Sequence, residues 1–184
     1  MQTSQFHSQI EGRVERWVEA VVIGLNLCPF ASAVLRRRQL NIVVADSDLV
    51  EDCLQQLADE ADALVAGDLQ ATTLLVLPDG FADFDDYLDL LAMADALLED
   101  IGLDEQLQLA SFHPDYQFQD TDFDDVENWT NRAPFPILHL LTEESVSRAV
   151  DSHPDPDGIP ETNIDRLEQM GTDALVALNR AADG

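Results

Sequence analysis

Residues 106–118 read QLQLASFHPDYQF, a run that begins as a strand and ends in polar, ionisable and aromatic side chains. The apolar residues of Gln106–Phe112 predict a strand. His113, Pro114 and Asp115 follow directly, and Tyr116 and Phe118 come next. A strand that only had to be buried would not need these residues at its end, and we interpret the stretch as the rim of a site.

Three further strands are predicted around this stretch, from the runs Leu40–Ala45, Thr72–Leu77 and Ile137–Leu141. Apolar residues at helical spacing predict helices over 4–25, 48–65, 83–101 and 143–150, and a final helix that starts near Ile159 and has its apolar stripe as far as Leu178. Asp48 and Glu51 resemble a capping pair at the start of the second helix.

This order of elements predicts an α/β or α+β fold. Two β–α–β crossovers imply parallel strands, and the long connection between the last two strands leaves their mutual direction open. We expect a single layered domain over residues 1–184, with a mixed sheet of about four strands packed by helices. A chain of 184 residues is long enough to bury a substantial core.

The composition is strongly acidic. Asp and Glu number 37 against nine basic residues, all of them Arg, and the formal net charge is −28. Such a surface repels nucleic acids and anionic membranes, so we expect neither as a partner. Selection for solubility and adaptation to high salt, where screening weakens self-repulsion, both account for the bias. The oligomeric state is left open.

The cysteines and the absence of a targeting pattern favour a cytoplasmic protein. Cys28 and Cys53 do not form a disulfide framework. A basic segment followed by an apolar stretch does not occur at the N-terminus, and the apolar runs are too short to span a bilayer. We therefore expect free thiols in a reducing compartment.

Common catalytic and cofactor motifs are missing. The chain has neither of the glycine-rich phosphate loops, no HExxH or paired CxxC zinc signature, and no GxSxG elbow. No cofactor is therefore assigned. What remains is a set of chemically capable residues near strand ends and loops.

The first hypothesis is an enzyme that acts on a small anionic substrate. Cys28 would be the nucleophile, His113 the general base and Arg132 the anion anchor, with Asn131 or Asn163 orienting the substrate. Ligands of open α/β sheets bind beyond the carboxyl ends of the strands. His113 belongs there if its strand is parallel to the first two, and Arg132 joins it if the fourth strand is antiparallel. Cys28 reaches the same rim only if the link before the first strand folds back.

Further candidates for ligand binding are Asp115, Tyr116, His139 and the cluster Arg36, Arg37 and Arg38, which could clamp an anion. Each candidate also has a structural interpretation. The arginine cluster could be a solvated turn, Arg132 could tie loop carbonyls together, Cys28 could be a small buried apolar residue, and His139 could be a satisfied core histidine.

Two alternatives to the enzyme stay open. One is a metal protein in which Cys28, His113 and His139, with or without Asp115, bind zinc or iron, although no local ligand pair supports it. The other is a non-enzymatic module that binds an anionic or nucleotide-like ligand or a protein partner. Its aromatic surface would come from Phe112, Tyr116, Phe118, Trp129 and Phe135.

Five segments together resemble one known family. They are LCPFA at 27–31, SFHPDYQF at 111–118, NRAPFP at 131–136, HLL at 139–141 and IPxxN at 159–163. In this order they are similar to a bacterial family described only as domain of unknown function 1415. The resemblance covers nearly the whole chain and implies a small cytoplasmic domain, without implying an activity.

Overall fold

The computed structural model describes residues 2–183, with the side chains of residues 3–182. Four strands form one sheet in the order β1-β2-β4-β3. Their bounds are Leu40–Val44 (β1), Thr72–Val76 (β2), Leu107–Phe112 (β3) and Ile137–Thr142 (β4). Strands β1 and β2 are parallel, and β4 is antiparallel to both β2 and β3. Strand β3 therefore runs in the same direction as β1 and β2.

Seven α-helices accompany the sheet in the described residues. They are Gln2–Trp17 (α1), Ala31–Arg36 (α2), Val50–Ala66 (α3), Phe84–Asp100 (α4), Glu143–Ser152 (α5), Ile159–Met170 (α6) and Thr172–Asp183 (α7). A π-helix, Val18–Ile23, continues α1, and a 3-10 helix, Val126–Thr130, precedes β4. The predicted mixed four-stranded sheet packed by helices is confirmed, and the fold is α+β.

Helices cover both faces of the sheet because both faces are apolar. Helices α3 and α4 pack on one face around Leu75, Leu138 and Leu140. The other face presents Leu74 and Ile137, among others, to α1, the π-helix, α6 and α7. Burial of both faces explains why β2 and β4 read as nearly continuous apolar runs.

Two details of the predicted helices are wrong. Helix α3 begins at Val50 without a side-chain cap, and the hydroxyl of Ser47, not a pair of carboxylates, accepts the backbone N–H of Leu49. The final helix is two helices, because α6 ends at Met170 and Gly171 follows it with a φ of 78°. Glycine adopts this backbone conformation without steric cost, so a helix break at this position is favourable.

The π-helix sets the path of the chain towards the carboxyl edge of the sheet. The N–H of Leu27 donates to the carbonyl of Val22 at 2.9 Å, a bond across five residues. A Cβ at Gly24 would lie 2.1 Å from the backbone oxygen of Ala20, so only glycine fits this tight turn. Single π turns occur frequently at functional sites. Within the described residues, no helix is long and apolar enough to cross a membrane.

Candidate functional site

The directions of the strands bring the end of β3 and the start of β4 together. Phe112 is paired with Ile137, and the N–H of His113 donates to the carbonyl of Asn131 at 3.1 Å. The side-chain amide of Asn131 donates to the carbonyl of Ser111 at 3.0 Å. Both orientation conditions that place His113 and Arg132 at one edge of the sheet are therefore met.

His113 is completely buried, and both of its ring nitrogens are hydrogen-bonded to the backbone. Nε2 lies 3.0 Å from the carbonyl of Phe81, and Nδ1 accepts the N–H of Asp115 at 3.0 Å. Because a carbonyl can only accept, Nε2 carries the proton and Nδ1 its lone pair. Burial lowers the pKa of His113, which favours the neutral ring. In this arrangement neither nitrogen is available to a substrate.

Arg132 is buried at 6% exposure and stabilises the loop that connects β3 to β4. Its guanidinium donates to the carbonyls of Tyr116 at 3.3 Å and Phe123 at 2.6 Å. The same group lies 4.5 Å from the ring centre of Phe123 and 4.8 Å from that of Trp129. These contacts occupy the guanidinium with backbone and aromatic partners rather than with an open anion site.

Asn128 shapes the acidic part of this loop, and the sequence analysis missed its role. The side chain is fully buried; its oxygen accepts from the N–H of Phe118 and the hydroxyl of Thr121, and its amide donates to the carbonyl of Asp122. A sequence signal for Asn128 exists, because it is an asparagine next to a run of exposed aspartates at positions 120, 122, 124 and 125. The described residues contain no group of three or more His, Cys, Asp or Glu side chains that could hold a metal ion.

Two cavities meet beside Cys28. The rim cavity, of about 500 Å³, lies at the carboxyl edge of the sheet, and its polar lining includes Thr121, Glu127, Asn131 and Asn163. The sheet-face cavity, of about 380 Å³, lies between the sheet, the π-helix, α2 and α5. Both linings include the same three residues, Val22, Cys28 and Phe112.

Helix α6 holds the link before Cys28 in place. The amide of Asn163 donates to the carbonyl of Leu27 at 2.8 Å, and the guanidinium of Arg166 donates to the carbonyls of Leu25 and Asn26. Asn26 has a φ of 50°, which turns the chain sharply after the π-helix. The link thus folds back, and Cys28 reaches the same edge as the end of β3.

The sheet-face cavity is almost entirely apolar and contains His139. Its wall from the sheet consists of Leu40, Thr72, Leu74, Ala110, Phe112, His139 and neighbouring residues. The Nε2 atom of His139 lies 2.6 Å from the hydroxyl oxygen of Thr72. Burial lowers the pKa of His139 to about 4.

The remaining candidates lie outside both linings. Arg36, Arg37 and Arg38 are exposed at the amino end of β1, where Arg38 borders a separate cavity that also contains Asp68. Asp115 is exposed, and the Tyr116 hydroxyl lies 3.2 Å from that of Ser111. The structure therefore groups Cys28 with Asn131 and Asn163 in one cavity and with His139 in the other. Arg36, Arg37 and Arg38 lie apart from both cavities.

Sequence reasoning missed several lining residues. Val22 and Trp17 read as ordinary members of an apolar helix face, and Thr72 as the first residue of a strand. A local signal for Val22 exists, because Gly24 and Asn26 follow it within one turn and disturb the helix. Thr72 has no such signal.

The fold and the cavities define a class, an α+β protein with an open mixed sheet and two adjoining cavities at one face and edge. Each of the five segments that carry the family resemblance contributes at least one lining residue. Residues 9–177 match the family described as Protein of unknown function (DUF1415), and the chain belongs to that family. No curated protein and no solved structure matches the chain.

Proposed function

We propose that this protein binds a small organic molecule in the rim and sheet-face cavities. The observation that carries the proposal is that the two cavities share Val22, Cys28 and Phe112 in their walls. Volumes of about 500 and 380 Å³ lie in the range of ligand pockets. A predominantly apolar lining with a few convergent polar groups is typical of such pockets.

The charge of the linings favours a neutral or cationic ligand over an anion. Glu127 is the one charged side chain among the residues that line the rim cavity, and arginine is absent from both described linings. Arg132, the expected anion anchor, is instead held by the carbonyls of Tyr116 and Phe123. The net charge of −28 also disfavours the approach of anions.

Catalysis with Cys28 as nucleophile is the second candidate. It is supported by the position of Cys28, which is partly exposed, lines both cavities and shares the rim cavity with Asn131 and Asn163. His139 shares the sheet-face cavity with Cys28, but burial lowers its pKa to about 4, so it is a weak base at neutral pH. In this form of the hypothesis, His113 and Arg132 support the loop and do not contact the substrate.

We also propose a cytoplasmic, bacterial protein adapted to high salt. Its two free cysteines support a reducing compartment. Its 37 acidic residues and lack of lysine support a salt-rich environment, where counter-ions screen the repulsion between like charges.

Competition for Cys28 tests ligand binding. Cys53 is buried, its Sγ donates to the carbonyl of Ser47, and burial raises its pKa to about 11. A thiol reagent should therefore label Cys28 first, with Cys53 as an internal control. A compound identified in a thermal-shift screen at fixed ionic strength should slow the labelling of Cys28 in the folded protein. The same compound should not change the rate at which the reagent labels Cys53 after the protein is unfolded.

Two alanine variants locate the bound compound. Ala149 lines the sheet-face cavity, whereas Ala58 lies on α3 beyond the opposite face of the sheet, and both are partly buried in helices. Ala149→Leu should weaken binding by filling the cavity, and Ala58→Leu should not. A screen without any compound that protects Cys28 would refute the proposed function. For the catalytic alternative, unchanged turnover of a substrate by Cys28→Ser would exclude a nucleophilic role for Cys28.

A further inference from the structure

The sheet-face cavity has one polar ring in an apolar wall. His139 lies on β4, in register between Leu74 of β2 and Ala110 of β3. All three line the cavity. Because alanine is small, the side chain at 110 leaves space beside the imidazole.

The hydrogen bonds of Thr72 determine the tautomer of His139. The hydroxyl oxygen of Thr72 lies 2.6 Å from the carbonyl of Leu140 and 2.6 Å from Nε2 of His139. The carbonyl can only accept, so the single hydroxyl proton goes to Leu140. Nε2 must then donate its own proton to the Thr72 oxygen, which leaves a lone pair on Nδ1.

Nδ1 of His139 has no hydrogen-bond partner among the residues that the structure describes. His113 differs in this respect, because the backbone occupies both of its nitrogens. Burial lowers the pKa of His139 to about 4, so the ring is neutral at pH 7 and Nδ1 remains an acceptor. An acceptor in an apolar cavity gains free energy when a bound molecule offers it a donor.

We infer that the sheet-face cavity binds an uncharged ring compound with one hydroxyl or N–H group, which donates its proton to Nδ1 of His139. This inference rests on the proposed ligand-binding function and names the chemical class of the ligand. The ring skeleton fits an apolar wall that includes Trp17 and Phe112, whose ring centres are 5.4 Å apart in an edge-to-face arrangement. A charged group would find no partner of opposite charge among the described lining residues.

Two probes of nearly equal shape test the hydrogen bond. 2-Naphthol offers a hydroxyl donor, 2-methoxynaphthalene offers none, and both are neutral at pH 7. Wild-type protein should bind 2-naphthol more tightly by about fivefold, the value of one net hydrogen bond, as measured by equilibrium dialysis. Both probes should slow the labelling of Cys28, which lines the same cavity.

Substitutions then separate His139 from the rest of the cavity. His139→Phe keeps a ring but removes the acceptor, so both probes should bind with equal affinity. Thr72→Val removes the acceptor for Nε2–H, which favours the tautomer with the proton on Nδ1. The oxygen of either probe can accept from Nδ1–H, so the preference for 2-naphthol should be lost. Ala58→Leu, on α3 beyond the opposite face of the sheet, changes no lining residue and should keep the wild-type preference.

The outcomes distinguish this inference from the function on which it rests. Equal affinity of the wild type for the two probes, or an unchanged preference in folded Thr72→Val, would overturn the assignment of the ligand class and leave ligand binding intact. If neither probe bound while other compounds protected Cys28, the ligand class would also be wrong and the function would stand. If no compound of any class protected Cys28, both would be overturned.

Discussion

The half-buried imidazole of His139 makes stability depend on pH in a defined direction. Its pKa falls from the ordinary value of 6.5 to about 4 because burial disfavours the charged ring. A group whose folded pKa lies below its unfolded pKa binds protons more readily in the unfolded chain. The folded state is therefore favoured above pH 6.5, and the His139 contribution is lost as the pH falls from 6.5 towards 4.

The size of the effect follows from the same two values. A fall from 6.5 to about 4 corresponds to about 3 kcal/mol when the pH is below both values. At pH 5 the unfolded imidazole is almost fully protonated and the folded one almost neutral, which gives a loss of about 2 kcal/mol relative to pH 8. His139→Phe removes this contribution, because phenylalanine does not titrate.

Urea denaturation at pH 8 and pH 5 measures the difference. Other groups also titrate in this interval, so the quantity of interest is the change in the free energy of unfolding of the wild type minus that of His139→Phe. Between pH 8 and pH 5 the wild type should lose about 2 kcal/mol relative to the variant. Leu141→Met, on the same strand and cavity wall, should follow the wild type at both pH values. Parallel pH profiles for wild type and His139→Phe would refute the argument.

Three other perturbations test the loop, the π-helix and the surface charge. Arg132→Leu removes the hydrogen bonds to the carbonyls of Tyr116 and Phe123. It should lower the free energy of unfolding by about 2–3 kcal/mol and speed amide hydrogen exchange at residues 116–123. Unaltered exchange at these residues would contradict the role assigned to Arg132. Gly24→Ala should lower the free energy of unfolding in urea by more than about 2 kcal/mol, because the added Cβ meets a backbone oxygen. The matched control is Gly12→Ala, in which the added Cβ meets only an arginine side chain at 3.5 Å. This control should stabilise α1 by up to about 1 kcal/mol. Equal effects at the two glycines would remove the argument for a tight π turn. Sodium chloride should raise the melting temperature by screening the net charge of −28, and a melting temperature that fell between low and high salt would argue against salt adaptation.

Much of the architecture could be predicted because it depends on local patterns. The apolar runs around Val43, Leu75 and Leu138 indicated the strands, and β–α–β order indicated that β1 and β2 are parallel. Helix starts were less predictable. Asp83 caps α4 by accepting the backbone N–H groups of Asp85 and Asp86, but the similar pattern at Asp48 does not cap α3. The difference depends on where the backbone enters the helix, which a short acidic motif does not specify.

The sequence indicated where a cavity lies but not how the polar side chains near it are bonded. The stretch from Ser111 to Phe118 does lie at the edge of a cavity, through Phe112 and Phe118. The two residues best suited to chemistry by type, His113 and Arg132, instead have their polar groups engaged by backbone carbonyls and, for His113, also by the N–H of Asp115. An arginine stands out in an acidic, lysine-free sequence in the same way whether its guanidinium binds a ligand or the carbonyls of a loop.

The sequence by itself determined the strands, the apolar faces of the helices, the polar end of β3 and the family, because each of these depends on residues close together in the chain. Only the tertiary structure decided that His139, and not His113, keeps a ring nitrogen without a partner among the described residues. The partner of His113 is the carbonyl of Phe81, 32 residues away, and that of His139 is the hydroxyl of Thr72, 67 residues away. A polar group can bind a ligand only through lone pairs and protons that are not already hydrogen-bonded within the protein. The protein groups that form those internal hydrogen bonds come together only when the sheet and its connecting loops are assembled.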